Sequence, residues 1–285
     1  GADVSSQAMT RMTRIGGREF RWGVRTYVMG IINVTPDSFS GDGLAGRPEQ
    51  ALEEALRFEA DGADILDVGA ESTRPGHTPI TVEEELARLL PVLELIAPRV
   101  KLPISVDTFK AAVAERALDA GACMVNDQWA LHADAKMAGL VARRGVPVIL
   151  MHNQRGTDYR DLLPDVIASL RESAGLALAA GAPREHIIVD PGIGFGKTAV
   201  QNLDVLRRLE EMRALGYPVM VGTSRKSTIG LVLGLPVNER LEGTAATVAL
   251  SIAHGADIVR VHDMKAMARV AKMSDAIVRG WSQPK

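Results

Sequence analysis

One pattern recurs eight times along the chain and limits the folds that it can adopt. Each repeat is a short apolar run that ends in polar residues and glycine, and a stretch with helical composition follows it. Runs that are apolar along their whole length are typical of strands buried on both faces of a parallel sheet. The eight apolar runs span residues 27–32, 65–68, 104–106, 123–125, 148–151, 187–189, 219–221 and 258–261.

Helical stretches alternate with these runs, and several of them stop at a glycine, as helices often do. They span residues 48–60, 82–96, 111–120, 133–144, 164–180, 202–215, 241–254 and 265–278. Eight parallel strand–helix units in one unbroken chain predict an α/β fold, the (β/α)8 TIM barrel. An open doubly wound sheet is the alternative that the pattern leaves open. Ahead of the first unit, Gly16-Gly17 interrupts a polar and aromatic stretch over residues 13–27 and predicts an N-terminal hairpin.

The composition fits one barrel domain and excludes several classes of protein. The 285 residues suit a single barrel, although two smaller domains would also fit the length. A formal net charge of −2 gives no broad attraction to nucleic acid or to an acidic membrane, and no apolar run approaches the ~18 residues of a membrane helix. We therefore expect neither as a partner. One cysteine cannot form an intrachain disulfide, so we expect a cytoplasmic protein.

Polar residues follow nearly every apolar run, where a barrel carries its chemistry. They are Asn33, Asp67, Asp107, Asn126, Asp127, His152, Asp190, Ser224, Arg225, Lys226, Arg260 and His262. Capping of helix N-termini is an alternative explanation for the asparagine, aspartate and serine residues. It does not explain the lysine, arginine and histidine residues, so the pattern predicts a functional site at this end of the barrel.

A glycine-rich loop over residues 190–198 invites two nucleotide-binding interpretations, and both fail by one residue. A P-loop requires glycine where Pro191 stands, and a dinucleotide fingerprint that begins at Gly192 requires glycine where Lys197 stands. What remains is a loop between strand and helix, headed by the carboxylate of Asp190. Such a loop lets the backbone approach a flat ligand closely.

Cationic residues cluster after three of the strands. Residues 224–227 put two adjacent cations near a helix start, where the helix dipole disfavours them, so we expect an anion or a carboxylate to compensate. A solvated basic turn is the alternative. Arg260 and His262 alternate along the eighth strand and point to one side. Together with Arg74 they could bind a phosphate-type group at the barrel mouth, although His262 alone also suits a solvated or capping position.

The loop after the first strand is long and rich in glycine. It runs over residues 33–43 and has the length of a lid over the barrel mouth, with a disordered surface connection as the alternative. The chain shows no transition-metal signature, since its six histidines lack metal-binding spacing and its single cysteine forms no cluster. We interpret Cys123 as a core residue rather than a nucleophile.

Eight segments in chain order resemble the dihydropteroate synthase family. Two of them are long and highly specific, MGIINVTPDSFS at residues 29–40 and DVGAESTRPG at residues 67–76. The shorter segments are SVDT at 105–108, ND at 126–127, MH at 151–152, DPGIGFGK at 190–197, SRKS at 224–227 and RVHD at 260–263. The resemblance runs from about residue 27 to residue 274.

The resemblance implies a fold, a reaction and an ion. It implies that residues 13–285 form one pterin-binding TIM-barrel domain, usually a homodimer. The first residue is not methionine, and we expect residues 1–12 to be a cloning remnant or a disordered N-terminus. It implies an enzyme of folate biosynthesis that condenses (7,8-dihydropterin-6-yl)methyl diphosphate with 4-aminobenzoate, giving 7,8-dihydropteroate and diphosphate. Sulfonamides would compete at the aminobenzoate site. Mg²⁺ is implied, and it prefers few protein ligands together with water and phosphate.

The resemblance also implies which residues form the site. The pterin-binding residues would be Asp107, Asn126, Met151, Asp190 and Lys226. The diphosphate-binding residues would be Asn33, Thr73, Arg74, Arg260 and His262, with Asn33 also a ligand of Mg²⁺. The aminobenzoate contacts would be Thr73, Pro75, Phe195, Ser224, Arg225, Lys226 and Ser227. The catalytic residues would be Asp107, Lys226, Arg260 and His262.

The implied mechanism is dissociative and SN1-like. Neutralised diphosphate leaves first, and the cation that remains on the pterin methylene is delocalised into the ring. Asp107, beneath the ring, would stabilise that cation while the arylamine attacks from the opposite side. The loops after the first two strands would close over the site and exclude water.

Two rival functions and three departures from the family pattern remain open. A methyltetrahydrofolate:corrinoid methyltransferase would share the pterin-binding barrel, and a catalytically silent paralogue would bind pterin or a partner only. The departures are residues 41–43, where Gly-Asp-Gly replaces a frequent Asp-Gly-Gly, Ala70 in place of a frequent glycine, and residues 128–130. Gln128-Trp129-Ala130 stands where a tripeptide ending in glycine is common, and alanine disfavours a turn with positive φ.

Overall fold

An N-terminal antiparallel hairpin precedes the barrel in the computed structural model, which describes residues 8–36, 43–72 and 76–285. Its strands are β1 (Met12–Ile15) and β2 (Arg18–Arg21). The turn between them contains Gly16 at φ 60°, a left-handed conformation that glycine adopts without strain. The predicted hairpin is therefore confirmed. The predicted boundary of the domain at residue 13 stays a prediction.

Eight parallel strands form the barrel, which confirms the predicted fold and excludes the open doubly wound sheet. They are β3 (Tyr27–Asn33), β4 (Ile65–Gly69), β5 (Ile104–Asp107), β6 (Met124–Asp127), β7 (Val148–Met151), β8 (Ile187–Asp190), β9 (Met220–Val221) and β10 (Ile258–Val261). They pair in the order β8-β7-β6-β5-β4-β3-β10-β9. A parallel bridge between Val189 and Val219 joins β8 to the segment that leads into β9 and completes the ring.

Nine α-helices surround the strands in the described part of the chain. They are α1 (Pro48–Asp61), α2 (Val82–Ile96), α3 (Ala111–Asp119), α4 (Met137–Arg144), α5 (Leu162–Ala179), α6 (Ala199–Arg207), α7 (Ser227–Leu233), α8 (Leu241–Ala253) and α9 (Met264–Arg279). The start of α2 shows how the sequence fixes these elements. Thr81 accepts a hydrogen bond from the backbone N–H of Glu84, and three glutamates in the first turn favour the positive end of the helix dipole.

Three helix predictions differ from the structure. The short helix α7 was not predicted and lies between β9 and α8. The stretch predicted as one helix over 202–215 is α6 followed by a 3-10 helix, Leu209–Leu215. The helix predicted from residue 133 begins at Met137, because the Asp134 carboxylate accepts hydrogen bonds from the backbone N–H groups of Lys136 and Ala111 and holds a turn there.

The hairpin covers the N-terminal end of the barrel and leaves the other end for the site. Ile15 and Phe20 of the hairpin pack with apolar residues from the first halves of the barrel strands, including Tyr27, Met124 and Ile258. A second and larger apolar core fills the space between the strands and the surrounding helices. Within the described residues, no helix combines the length and the apolar character needed to cross a membrane.

Candidate active site

A cavity of about 640 Å³ lies at the carboxyl ends of the strands, a volume in the usual range for small-molecule sites. Nine of the residues that the sequence predicted for the site line it: Asn33, Asp107, Phe195, Ser224, Arg225, Lys226, Ser227, Arg260 and His262. Three more are buried behind this lining: Asn126, Met151 and Asp190. The remaining three, Thr73, Arg74 and Pro75, lie outside the described residues, as do residues 37–42 of the predicted lid.

A buried carboxylate organises the floor of the cavity. Asp67 on β4 has no solvent exposure, and its Oδ2 accepts hydrogen bonds from Arg260 Nε at 2.8 Å and from Asn126 Nδ2 at 3.0 Å. Its Oδ1 and the Oδ1 of Asn126 are buried without a hydrogen-bond partner among the described residues. A buried acceptor without a donor is destabilising.

A second carboxylate lies beside the first. Oδ2 of Asp107, the last residue of β5, accepts hydrogen bonds from Gln128 Nε2 at 2.9 Å and from Arg260 Nη2 at 3.3 Å. Burial raises the pKa of Asp107 well above the usual range of an aspartate, and the negative charge of Asp67 raises it further, while Arg260 opposes both effects. Gly69 leaves the room for this side chain, because a Cβ at Gly69 would lie 3.1 Å from Asp107 Oδ2.

A lysine and a third carboxylate form the opposite side of the site. Asp190, the last residue of β8, accepts a hydrogen bond at Oδ1 from the backbone N–H of Gly192 at 2.8 Å, and burial raises its pKa. Lys226 Nζ donates to the carbonyl oxygen of Ile193 at 2.5 Å and lies 4.9 Å from the ring centroid of Phe195. Burial lowers the pKa of Lys226 to about 8, and Asp190 opposes this shift.

Lys197 holds the glycine-rich loop that carries these contacts. Its Nζ lies 2.9 Å from His152 Nδ1 and donates to the carbonyl oxygens of Gly192 at 3.1 Å and Phe195 at 3.0 Å. Burial lowers the pKa of Lys197 to about 7 and the pKa of His152 to about 3. Gly192 is required here, since it has φ 76° and a Cβ would lie 1.9 Å from the carbonyl oxygen of His152.

The rim of the cavity combines Ser224, Arg225 and His262. Ser224 Oγ lies 2.7 Å from His262 Nδ1, and it also accepts the backbone N–H of His262 at 3.1 Å. Arg225 has φ 57°, and its guanidinium donates to both carboxylate oxygens of Asp263 at 2.9 and 3.1 Å. The Asp263 carboxylate therefore neutralises the charge of Arg225 within the protein. From the sequence we expected an anion or a carboxylate near residues 224–227, but the sequence did not identify Asp263.

Four residues of this arrangement were not assigned to the site from the sequence. Asp67 had been noted only as a polar strand end, and Lys197 only as a mismatch to a nucleotide motif. Gln128 and Glu71 line the cavity as well. Glu71 Oε2 accepts a hydrogen bond from Lys110 Nζ at 2.9 Å. For Asp67 and Gln128 the only sequence signal was position, because Asp67 lies near the end of β4 and Gln128 directly follows β6, the strand that carries Asn126.

Comparisons with known proteins agree with this geometry. A family model described as "Pterin binding enzyme" matches residues 29–262. The dihydropteroate synthase of Clostridium beijerinckii is 49% identical over 267 residues, which cover 93% of this chain and 99% of the relative. That of Bacillus subtilis is 52% identical over 254 residues, which cover 89% of each.

Solved structures give the same result. A Clostridium difficile dihydropteroate synthase, solved in the presence of pteroic acid, has a TM-score of 0.87 and 48% identity, over 90% of this chain and 98% of that one. The Xanthomonas albilineans dihydropteroate synthase, solved with 4-aminobenzoic acid, has a TM-score of 0.88 and 40% identity, over 94% of this chain and 98% of that one. The chain therefore belongs to the dihydropteroate synthase family of pterin-binding enzymes.

Proposed function

We propose that this enzyme condenses (7,8-dihydropterin-6-yl)methyl diphosphate with 4-aminobenzoate, giving 7,8-dihydropteroate and diphosphate in folate biosynthesis. The observation that carries the proposal is the convergence of buried hydrogen-bonding groups on one cavity. Asp107, Asn126 and Asp190 come from three different strands, and Lys226 approaches from the loop after a fourth. A flat heterocycle with donors and acceptors on its edge matches this set.

The pterin would bind at the floor of the cavity. Its amino and ring N–H groups would pair with the Asp190 carboxylate and with Asn126 Oδ1, which is buried without a donor in the described part of the chain. Lys226 would donate to the pterin carbonyl or to a ring nitrogen. Met151, buried at the end of β7, would pack against the apolar face of the ring.

The aminobenzoate would bind nearer to the mouth. Phe195 lines the cavity close to Lys226, and an aromatic ring can stack on it. Ser227, which begins α7, is exposed at the same side and can donate a hydrogen bond to a carboxylate. Sulfonamides resemble 4-aminobenzoate in shape and charge, so we propose that they compete for this position. The roles of Thr73, Pro75, Ser224 and Arg225 at this position stay predictions.

The diphosphate would lie against Arg260, His262 and Asn33, which share the cavity wall, and the role of Arg74 there stays a prediction. In the described residues, no group of three or more histidine, cysteine or acidic side chains could hold a metal ion. The single amide oxygen of Asn33 fits Mg²⁺, which takes few protein ligands when phosphate and water complete its coordination. Mg²⁺ bound in this way supplies neutralisation of the diphosphate charge, with Asn33 as its protein ligand.

The residues of this chain account for each remaining step. Arg260 and His262 stabilise the charge that develops as the bond between the methylene carbon and the diphosphate oxygen breaks. The ionised form of Asp107 then stabilises the cation on the pterin methylene. The arylamine nitrogen attacks that carbon and forms the new C–N bond, and its proton passes to the released diphosphate or to water, so that dihydropteroate remains with a neutral nitrogen.

A coupled assay tests this function directly. The purified protein, both substrates and Mg²⁺ are expected to release one diphosphate per dihydropteroate formed, with no continuing turnover when 4-aminobenzoate is left out. Absence of dihydropteroate with both substrates present would overturn the proposal. Transfer of a methyl group from methyltetrahydrofolate would support the rival methyltransferase instead.

A homodimer is proposed on the basis of an exposed apolar face. Leu231 and Val232 on α7 are 72% and 61% exposed, and Leu250 on α8 is 59% exposed. The helices α6, α7 and α8 pack together, so the exposed apolar residues lie on neighbouring helices. Exposed apolar surface of this kind is typical of interfaces. Light scattering should give twice the chain mass for the wild type and a lower mass for Val232→Asp.

Cytoplasm is the location that we propose. Its support is the single cysteine, which suits a reducing compartment. Fractionation of cells that produce the protein should recover it with cytoplasmic marker enzymes, and recovery with membranes or culture medium would contradict the proposal.

A further inference from the structure

Gln128 lies in the cavity wall. It directly follows β6 and is 5% exposed. Its Nε2 donates to Asp107 Oδ2 at 2.9 Å. Its Oε1 is buried and has no hydrogen-bond partner among the described residues. The amide nitrogen of Gln128 therefore donates a hydrogen bond, whereas its amide oxygen accepts none from the described residues.

The orientation of this amide follows from its neighbours. Arg260 Nη2 donates to the same oxygen, Asp107 Oδ2, at 3.3 Å, so that oxygen acts as an acceptor. The Gln128 group that approaches it must be the donor, and rotation of the amide by 180° would bring two acceptor oxygens together. Oε1 is thus held on the side away from Asp107.

The unused oxygen belongs to a connected network that is rich in acceptors. Asn126 donates to Asp67, Arg260 donates to both Asp67 and Asp107, and Gln128 donates to Asp107. Asp67 Oδ1, Asn126 Oδ1 and Gln128 Oε1 are each buried without a donor in the part of the chain that the structure describes. Each unpaired acceptor is unfavourable in the free enzyme. A ligand with several N–H donors on one edge would relieve this.

We propose that Gln128 is a pterin-recognition residue, whose Oε1 accepts a hydrogen bond from an N–H group of the bound pterin while its Nε2 holds Asp107. This inference rests on the proposed function, because it takes the pterin as the ligand. It adds a contact that the resemblance to the family did not assign. A ring donor on Oε1 polarises the amide and strengthens the hydrogen bond from Nε2 to Asp107, so recognition and the orientation of Asp107 are coupled.

The test compares Gln128→Leu with the wild type. Leucine has a similar size and neither donor nor acceptor. Calorimetry with 6-hydroxymethylpterin, a probe that carries the ring without the diphosphate, should show affinity about tenfold weaker in the variant, as expected for the loss of one buried hydrogen bond. The KM for 4-aminobenzoate should change by less than about twofold, since the proposed contacts of Gln128 are with the pterin and Asp107 and not with 4-aminobenzoate.

Gln50→Leu is the matched control, because Gln50 is exposed on α1 and does not line the cavity. It should bind the pterin probe as the wild type does. Gln128→Met supplies a second apolar variant if the leucine variant fails to fold.

Two outcomes would overturn the inference: unchanged pterin affinity in a folded Gln128 variant, or an equal loss for both substrates. Failure of the proposed function would look different, since the wild type itself would then form no dihydropteroate in the coupled assay.

Discussion

Arg260 Nε lies 2.8 Å from Oδ2 of Asp67, a carboxylate with no solvent exposure. The two residues are on β10 and β4, and the ion pair reaches across the intervening strand β3. Arg260 also contacts Asp107, so one guanidinium compensates two buried acids. A buried ion pair gives little net stability, but removal of one partner leaves an uncompensated charge. The arrangement therefore fixes the orientation of Arg260 in the site.

Asp67→Asn should destabilise the protein by about 3 kcal/mol, because Arg260 loses its most buried counter-ion. Chemical denaturation measures this change in the free energy of unfolding. Asp204→Asn is the control: Asp204 pairs with Arg207 on the exposed surface of α6, and its loss should change the free energy by less than about 1 kcal/mol. Equal effects of the two variants would show that the buried pair has no special role.

Asp190→Asn should weaken binding of 6-hydroxymethylpterin by about 10- to 100-fold, since a carboxylate that accepts ring N–H donors becomes a neutral amide. Calorimetry measures the affinity. The hydrogen bond from the Gly192 N–H can still be made to the amide oxygen, so the loop should keep its conformation. Unchanged pterin binding would place Asp190 outside the pterin site.

Arg260→Ala should lower kcat by about 100-fold, because the charge on the leaving diphosphate loses its main protein partner. The KM for 4-aminobenzoate should change far less. Arg260→Lys keeps the positive charge and should recover part of the rate. If both kinetic constants respond equally to Arg260→Ala, Arg260 does not act on diphosphate departure.

Ala130→Gly should stabilise the protein by about 1 kcal/mol, because Ala130 has φ 50° and a side chain in this left-handed conformation is strained. Asp127 holds the strained turn, since its carboxylate accepts the backbone N–H groups of Trp129 and Leu131. Thermal and chemical unfolding measure the change. The same substitution at Ala168, exposed on helix α5, should instead destabilise by about 1 kcal/mol.

The lowered pKa of Lys197 should make the free energy of unfolding increase as the pH rises above 7. Its pKa is lowered to about 7 in the folded protein, while an unfolded lysine titrates near pH 10.4. Between these values the unfolded chain binds the extra proton, so the free energy of unfolding increases as pH rises, by up to about 1.4 kcal/mol per pH unit. In Lys197→Met this contribution should be absent. Parallel stability curves for both proteins from pH 7 to 10 would contradict the lowered pKa.

The sequence predicted the fold because eight apolar runs alternate with helical stretches, and the structure decided between the barrel and the open sheet through the bridge from Val189 to Val219. The predicted ends of the strands and helices were less accurate. The helix α7 was missed because it is short and contains Gly230, which leaves room for the Arg240 guanidinium. The predicted strands stopped before Asp107 and Asp190, which the structure includes as their last residues.

The sequence predicted which residues lie at the candidate site, but it did not predict the hydrogen bonds and ion pairs between them. Strand ends in a parallel barrel meet at one end, so Asn126 and Asp190 could be grouped from the pattern. The pairing of Asp67 with Arg260 joins residues 193 positions apart and depends on which side chains point into the barrel. The contacts of Lys197 with His152 and of Gln128 with Asp107 likewise join residues distant in the chain, and the periodicity of the sequence does not predict them.

The hairpin that covers the N-terminal end of the barrel limits the route by which substrates and products can enter and leave the site. Ile15 and Phe20 obstruct that end, so substrates and products use the carboxyl side. Asn126 and Asp190 are buried, whereas Phe195 is half-buried, so a heterocycle bound at the two former residues, as we propose, would lie deeper than a ring stacked on Phe195. We therefore expect the inner substrate to arrive before the outer one.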